Sequence, residues 1–275
     1  MTGRNGHSHL TALIHANVVI AAAGAGVAIT ATWVLGHPFD PLPIAFVFTA
    51  VFLAYTVNRF TDREADGHNL PGRAAFVHRH GKPLLVAAIL VYASAGVATA
   101  ALRPGLVALL VLPPVLAVAY ATPWVRRIPL FKNAVVGVCW AVIPLGIGAY
   151  HGNVGSATVV VATLFGGLLT IAAMVFDIKD VEGDRLVGTR TVPTWLGPTR
   201  TRQVALGSVL ALLPAVAAAA ILLSSRFAVF GLYAGYLALV IPFAEADRGP
   251  LFYGGVIDGE HVLVAATVVV WAIVG

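Results

Sequence analysis

Cysteine is almost absent from this sequence of 275 residues, in which Cys139 stands alone. A single cysteine cannot form an intramolecular disulfide, and it leaves no CxxC or Cys/His spacing of the kind that zinc sites use. The sequence also lacks a basic run typical of nucleic-acid binding, although its net charge is +5. Disulfide scaffolds, zinc proteins and nucleic-acid-binding proteins are therefore excluded as classes.

Charge is scarce as well, at 11% of residues, whereas ordinary soluble domains carry about 25%. Hydrophobic residues make up 59% of the chain, and its mean hydropathy is +0.89. This composition excludes an ordinary soluble domain and predicts a protein that resides in the lipid bilayer. The first apolar segment is not preceded by an A-x-A cleavage pattern, so we expect a retained first helix and no signal peptide.

Uncharged stretches that could cross a bilayer as helices, each of about 20 residues, recur along the whole sequence. Nine such runs cover approximately 10–35, 43–58, 83–102, 105–122, 133–150, 156–176, 203–224, 227–243 and 261–275. The sequence therefore predicts a single all-α, polytopic membrane domain over residues 1–275 with about nine transmembrane helices.

Charged residues gather on one side of these predicted spans. If the N-terminus is cytoplasmic, the cytoplasmic segments hold fifteen of the seventeen Lys and Arg residues and eleven of the twelve acids. The exceptions are Asp40, Arg103 and Arg226. Since cytoplasmic loops are typically rich in Lys and Arg, this distribution predicts that the N-terminus and the acidic segments are cytoplasmic.

Seven of the twelve acids lie in two short segments that follow predicted spans, NRFTDREAD at 58–66 and DIKDVEGD at 177–184. Each segment is spaced so that one face of a helix would carry its oxygen ligands: Asn58, Asp62 and Asp66 in the first, and Asp177, Asp180 and Asp184 in the second. Each also precedes a loop containing Gly, Pro and Arg. This pattern indicates two repeated four-helix units, roughly 1–130 and 131–275, around a central cavity.

Matched carboxylates on two walls of a cavity predict a metal and diphosphate site. Such oxygen ligands suit Mg²⁺, which binds carboxylates together with substrate phosphates. The cations that could contact phosphate oxygens are Arg63, Arg73, Arg126, Lys179 and Arg190. A single acidic helix end would be read more simply as a solvated face, but two matched segments favour a site. A diphosphate beside an apolar cavity indicates a polyprenyl lipid.

These segments resemble motifs of the UbiA superfamily of intramembrane prenyltransferases. The first matches the pattern NxxxDxxxD and the second matches DxxD. The stretch YATPWVRRIPLFKN at 120–133 is similar to the family's segment with a tyrosine and a basic residue. The stretch DVEGDRLVGTRTVP at 180–193 is similar to the sequence that follows the second motif. The likeness extends over the whole predicted layout.

The resemblance implies an Mg²⁺-dependent enzyme that ionises an isoprenyl diphosphate and transfers the prenyl group to a hydrophobic or phenolic acceptor. Mg²⁺ would bridge the diphosphate to both motifs, at Asn58, Asp62, Asp66, Asp177, Asp180 and Asp184. Arg63 and Arg126 would bind the diphosphate, and Tyr120 would lie near the reacting carbon.

The acceptor region implied by the resemblance lies at the start of the first span, near His15 and Asn17. Many family members have an Arg-Pro pair there, which this sequence lacks, so we expect no carboxylated aromatic acceptor. Two alternatives stay open. A UbiA-type terpene cyclase would ionise the same substrate without an acceptor. A lipid-diphosphate transporter would place ionisable groups near the bilayer midplane, whereas these acids gather at one end of nearly uncharged spans.

Overall fold

The computed structural model describes residues 2–61, 67, 70–120, 122, 128, 130–186 and 188–274. For residues 2–8 and 61 it describes the backbone but not the side chains. Within these ranges the regular structure is entirely helical, as predicted. The α-helices are α1 (Thr2–His15), α2 (Val18–Val34), α3 (Pro41–Thr61), α4 (Pro71–Leu102), α5 (Leu112–Tyr120), α6 (Phe131–Tyr150), α7 (Ser156–Phe176), α8 (Val181–Leu186), α9 (Val192–Leu196), α10 (Pro198–Leu222), α11 (Val229–Val240) and α12 (Gly259–Val274). Shorter segments are the 3₁₀ helices Pro104–Leu110, Ser225–Ala228 and Ile241–Phe243, and a π-helix, Leu251–Ile257.

The prediction of a polytopic membrane protein is confirmed, but the count of nine spans is not. Among the described residues, seven helical segments are long and apolar enough to cross a membrane. An eighth is formed if His9–His15 and Val18–Val34, which meet at 71°, count as one broken span. The run predicted at 105–122 is instead a 3₁₀ helix followed by the nine-residue α5, and is too short to qualify.

Two helical segments extend further toward the charged side than the sequence predicts. The sequence predicts the third span from residue 83, whereas α4 begins at Pro71, because proline lacks the N–H that a first helical turn leaves unpaired. The last span is predicted from residue 261, whereas helical structure begins at Leu251. Glu260 therefore lies inside a helical segment with only 1% of its surface exposed, and the expectation of nearly uncharged spans is wrong there.

The core is centred on α7 and joins both parts of the chain. Phe165 and Tyr233 are both fully buried, and their ring centroids lie 5.4 Å apart with an interplanar angle of 74°. Aromatic pairs favour this edge-to-face geometry. The Tyr233 hydroxyl is hydrogen-bonded to the Thr30 hydroxyl at 3.1 Å, which ties α11 to α2. On the outside, Ile221 and Ile273 are 81% and 78% exposed, as expected of side chains that face lipid.

Helices α6 and α7 approach each other closely because glycine stands at their contact. A Cβ atom at Gly137 would lie 2.4 Å from the carbonyl oxygen of Gly166 and 2.0 Å from the Thr170 hydroxyl. Small residues allow such close contact between helices in membranes. This contact positions Lys132 and Asn133, at the start of α6, beside the end of α7.

Replacing Gly137 with alanine is expected to lower the free energy of unfolding by about 1 to 3 kcal/mol, the usual cost of overpacking. The added methyl group must push α6 away from the α7 backbone. Thermal unfolding in detergent would measure the loss. Gly146→Ala on the same helix is the control: its Cβ would meet nothing within 4 Å, so equal losses for both variants would contradict this account.

Candidate active site

An apolar cavity of about 540 Å³ is lined mainly by residues of α3, α5, α6 and the 3₁₀ helix before α5. Asn58, near the end of α3, and Tyr120, the last residue of α5, line it at one end. Tyr55 and Trp140 also contribute to its wall. A residue of the first motif, Asn58, thus lines this cavity, whereas the lining among the described residues includes none of the second motif's aspartates.

The second acidic segment does not form the single helical stripe that its spacing predicts. Helix α7 ends at Phe176, a turn covers 177–180, and α8 begins at Val181. The Asp184 N–H donates to the Asp180 carbonyl oxygen at 2.8 Å, which holds the turn against α8. As a result, the three aspartates have different partners.

Asp177 is held by the start of α6. Its Oδ1 accepts a hydrogen bond from Lys132 Nζ at 2.8 Å, and its Oδ2 accepts one from Asn133 Nδ2 at 2.8 Å. The side chains of Lys132 and Asp177 are only 14% and 6% exposed. A buried charge pair requires further hydrogen bonds to offset its desolvation, and Asn133 supplies one of them.

Asp180 and Asp184 each have one carboxylate oxygen that is not used by the described part of the protein. Asp180 Oδ1 and Asp184 Oδ2 are buried and lack a hydrogen-bond partner among the described residues. Burial raises the pKa of Asp184 to about 7, with the charges of Asp177 and Asp180 adding to the effect and Lys132 opposing it. Burial also opposes ionisation of Asp180, but Lys179 outweighs it and holds the pKa of Asp180 below its usual range.

Unpaired buried carboxylate oxygens are costly unless something else binds them. Their chemistry fits a hard divalent cation such as Mg²⁺, which is commonly bound by one or two protein carboxylates with substrate phosphates and water. Within the described ranges, no group of three His, Cys, Asp or Glu residues could hold a metal ion by itself. Asp180 and Asp184 would therefore share a Mg²⁺ ion with other ligands.

Two of the predicted phosphate-binding cations lie close to these aspartates. Lys179 forms an ion pair with Asp180, and its Nζ lies 5.6 Å from the centre of the Tyr253 ring. Arg73, in the first turn of α4, lowers the pKa of Asp180 through its charge, so residues from both predicted halves meet here. Arg190 is exposed in the turn before α9.

Much of the first motif cannot be compared with this geometry. Asp62, Arg63, Asp66 and Arg126 lie outside the described residues. Their predicted roles stay predictions, as does the convergence of both motifs on one diphosphate. Tyr120, which is described, lies within electrostatic range of Lys132, as do Asp177 and Asp184.

His15 and Asn17 lie where α1 bends into α2. Asn17 has a φ of +63°, a left-handed conformation that asparagine tolerates better than most residues. Both side chains are buried, and the His15 ring lies 5.7 Å from that of Phe76. Asn17 Oδ1 accepts a hydrogen bond from Arg59 Nε at 3.2 Å. A cation of α3, Arg59, therefore reaches this region.

The sequence analysis missed Lys132, Asn133 and Arg59 as site residues. Lys132 and Asn133 stand at the start of an uncharged run, and their pairing with Asp177 depends on residues 44 and 45 positions away. The adjacent lysine and asparagine before a long apolar run were the available signal. For Arg59 no local pattern indicates its bond to Asn17.

A bundle of membrane-spanning helices with an apolar cavity and a buried cluster of charged groups at the end of α7 defines an integral membrane protein. The sequence profile of the UbiA prenyltransferase family matches residues 17–248. The chain belongs to this family, which confirms the resemblance seen in its motifs.

Two archaeal relatives are both named digeranylgeranylglyceryl phosphate synthase. The chain is 31% identical to the protein of Natronomonas pharaonis over 196 residues, which is 69% of this chain and 70% of the relative. It is 28% identical to that of Haloquadratum walsbyi over 221 residues, 79% of this chain and 72% of the relative.

Solved structures share the fold. A UbiA homolog from Aeropyrum pernix K1 superposes with a TM-score of 0.71 at 16% identity, covering 94% of this chain and 99% of the homolog. A UbiA homolog from Archaeoglobus fulgidus, bound to GPP and Mg²⁺, superposes with a TM-score of 0.67 at 12% identity and the same coverage. These likenesses show a common architecture.

Proposed function

We propose that the protein is a Mg²⁺-dependent prenyltransferase that ionises an isoprenyl diphosphate and transfers the prenyl group to an acceptor. The observation that carries the proposal is the pair of buried oxygens of Asp180 and Asp184 that lack a partner among the described residues, close to Lys179 and Arg73. Family membership and the GPP and Mg²⁺ bound to the Archaeoglobus fulgidus homolog support it.

The charged end of the site would bind and stabilise the departing diphosphate. Bound Mg²⁺ supplies positive charge that stabilises the pyrophosphate leaving group. In this proposal, Asp180 and Asp184 hold the ion together with Asn58, Asp62, Asp66 and Asp177. Lys179 and Arg73, with Arg63, Arg126 and Arg190, donate hydrogen bonds to phosphate oxygens.

The apolar end would hold the prenyl chain and protect the allylic cation from water. The face of Tyr120 would stabilise that cation by about 0.5 to 2 kcal/mol through its π system. Lys132 and Asn133 fix Asp177 through hydrogen bonds, so they act by positioning. Fixed charges in a site that excludes water stabilise developing charge most effectively.

The first acceptor class to test is a prenylated glyceryl phosphate, because both named relatives are synthases of such a lipid. The acceptor would enter near His15 and Asn17, where the Arg59 guanidinium is hydrogen-bonded to Asn17. We further propose that this end of the protein is cytoplasmic, since fifteen of the seventeen Lys and Arg residues fall on its side of the predicted spans.

Removing divalent metal is expected to abolish pyrophosphate release, and adding Mg²⁺ back should restore it. The reason is that Asp180 and Asp184 cannot by themselves stabilise a departing anion. The measurement is pyrophosphate release from geranylgeranyl diphosphate by purified protein in detergent, with and without a prenylated glyceryl phosphate acceptor, and with and without chelator. Release that continues in excess chelator would contradict metal-dependent ionisation.

The same assay separates the competing functions. A transferase requires an acceptor to form its product, and its product contains that acceptor. Cyclic hydrocarbon released without any acceptor would indicate a terpene cyclase, which no comparison favours. Movement of a lipid diphosphate across vesicles without pyrophosphate release would indicate a transporter.

A further inference from the structure

The apolar cavity is long in the direction of its helices. Its lining includes Pro43 and Asn58 at opposite ends of α3, and Val136 and Tyr150 at opposite ends of α6. At a rise of 1.5 Å per residue, each pair is separated by about 21 to 23 Å. The lining of the cavity therefore extends from Asn58 almost to the far ends of α3 and α6.

Tyr150 lies at that far end and is held in place from two sides. Its side chain is buried, and its hydroxyl donates a hydrogen bond to Asp40 Oδ2 at 2.6 Å. Asp40 Oδ1 in turn accepts one from the Leu42 N–H at 2.9 Å. The guanidinium carbon of Arg103 lies 5.0 Å from the centre of the Tyr150 ring, within the range of a cation–π contact.

Asp40 and Arg103 are two of the three charged residues that the sequence places away from the others, and both meet at Tyr150. The hydrogen bonds from Tyr150 and from the Leu42 N–H hold the pKa of Asp40 below its usual range, so its carboxylate is charged at neutral pH. An apolar chain that moved past the Tyr150 ring would desolvate these charges at a large cost in free energy.

We propose that Tyr150, held by Asp40 and Arg103, forms the floor of the cavity and sets the longest prenyl chain that the protein accepts at about four isoprene units. This inference rests on the proposed function. An extended covalent chain advances roughly 1.2 Å per bond, so four units of four bonds each span about 19 Å and five units about 24 Å. Four units fit within the length that the lining covers along α3 and α6, whereas five exceed it.

The test compares pyrophosphate release from farnesyl, geranylgeranyl and farnesylgeranyl diphosphates, which contain three, four and five isoprene units. The wild-type protein should prefer the four-unit donor to the five-unit donor. Removing the floor with Tyr150→Ala should raise kcat/KM for five units relative to four by about tenfold, the size of effect expected from a small change in an apolar pocket.

A second variant should shift the preference in the opposite direction. Gly146 lines the cavity one helical turn before Tyr150, and a Cβ atom there would meet nothing within 4 Å. A leucine at this position would occupy the space of the last isoprene unit, since one turn of helix rises about 5.4 Å. Gly146→Leu should therefore raise kcat/KM for three units relative to four by about tenfold.

Gly207→Leu is the matched control. Gly207 also lies inside a helix, and a Cβ atom there would meet nothing within 4 Å, but Gly207 does not line the cavity. Its chain-length preference should equal that of the wild type. Unchanged chain-length preferences in both cavity variants would contradict the assignment of Tyr150 as the floor of the cavity. A wild-type preference for the five-unit donor would contradict it as well. If Tyr150→Ala does not fold, Gly146→Leu decides the question. No pyrophosphate release from any donor by the wild-type protein would overturn the proposed function instead.

Discussion

Replacing Asp180 with asparagine is expected to lower the rate of pyrophosphate release by about 100- to 1,000-fold, the loss typical when one group that stabilises transition-state charge is removed. The substitution keeps the size of the side chain but removes a negative charge whose buried Oδ1 lacks a partner among the described residues. It also leaves Lys179 without its ion pair. Steady-state pyrophosphate release at saturating donor and Mg²⁺ would measure the loss.

Glu182→Gln is the matched control for this prediction. Glu182 lies two residues away on α8, where it is exposed, so its substitution removes the same charge without changing the buried site. We expect it to retain the wild-type rate. Equal rates for Asp180→Asn and wild type would remove the metal and diphosphate assignment of the second motif.

Replacing Lys132 with methionine is expected to lower the free energy of unfolding by about 3 to 5 kcal/mol, the cost of breaking a buried ion pair by removing one partner. Among the described side chains, Asp177 would keep its hydrogen bond from Asn133 alone, and its buried charge would lose the ion pair that compensates it. Thermal unfolding in detergent, followed by tryptophan fluorescence, would measure the change. Pyrophosphate release should fall as well, because the end of α7 would lose its anchor on α6.

Two further variants test the cause of that loss. Lys82→Met removes an exposed lysine near the start of α4 and should leave stability almost unchanged. Combining Lys132→Met with Asp177→Asn should recover part of the lost stability, since the uncompensated charge is then also removed. A double variant that is less stable than Lys132→Met would show that the ion pair is not the source of the effect.

How far the sequence predicts this protein can be judged at particular elements. The apolar runs at 133–150 and 156–176 correspond closely to α6 and α7, because a stretch without charges must be helical where no water can pair its backbone groups. The run at 105–122 is equally free of charge but contains Pro113 and Pro114, and it forms a 3₁₀ helix and a short α-helix. The absence of charge therefore locates an apolar segment, but it does not determine whether that segment forms one continuous α-helix.

At the candidate site, too, the sequence pattern predicts the location of the residues but not their contacts. The spacing of Asp177, Asp180 and Asp184 correctly marked a cluster at the end of a predicted span, yet the helix ends inside the cluster and the carboxylates have different partners. Lys132 was assigned to a loop because it is charged, although its charge is paired within the fold. Pairing of this kind depends on how closely α6 and α7 pack at Gly137, which no local pattern reveals.

The sequence by itself determined the membrane class, the helical architecture, the family and the positions of the acidic motifs. These follow from hydropathy, charge and short spacings, which are properties of neighbouring residues. Only the tertiary structure decided which carboxylate oxygens are buried without a partner among the described residues. It also decided that α3 brings Arg59 to Asn17 and that Asp40 and Arg103 meet at Tyr150. Those contacts join residues far apart in the chain, and their geometry depends on how the helices pack against one another.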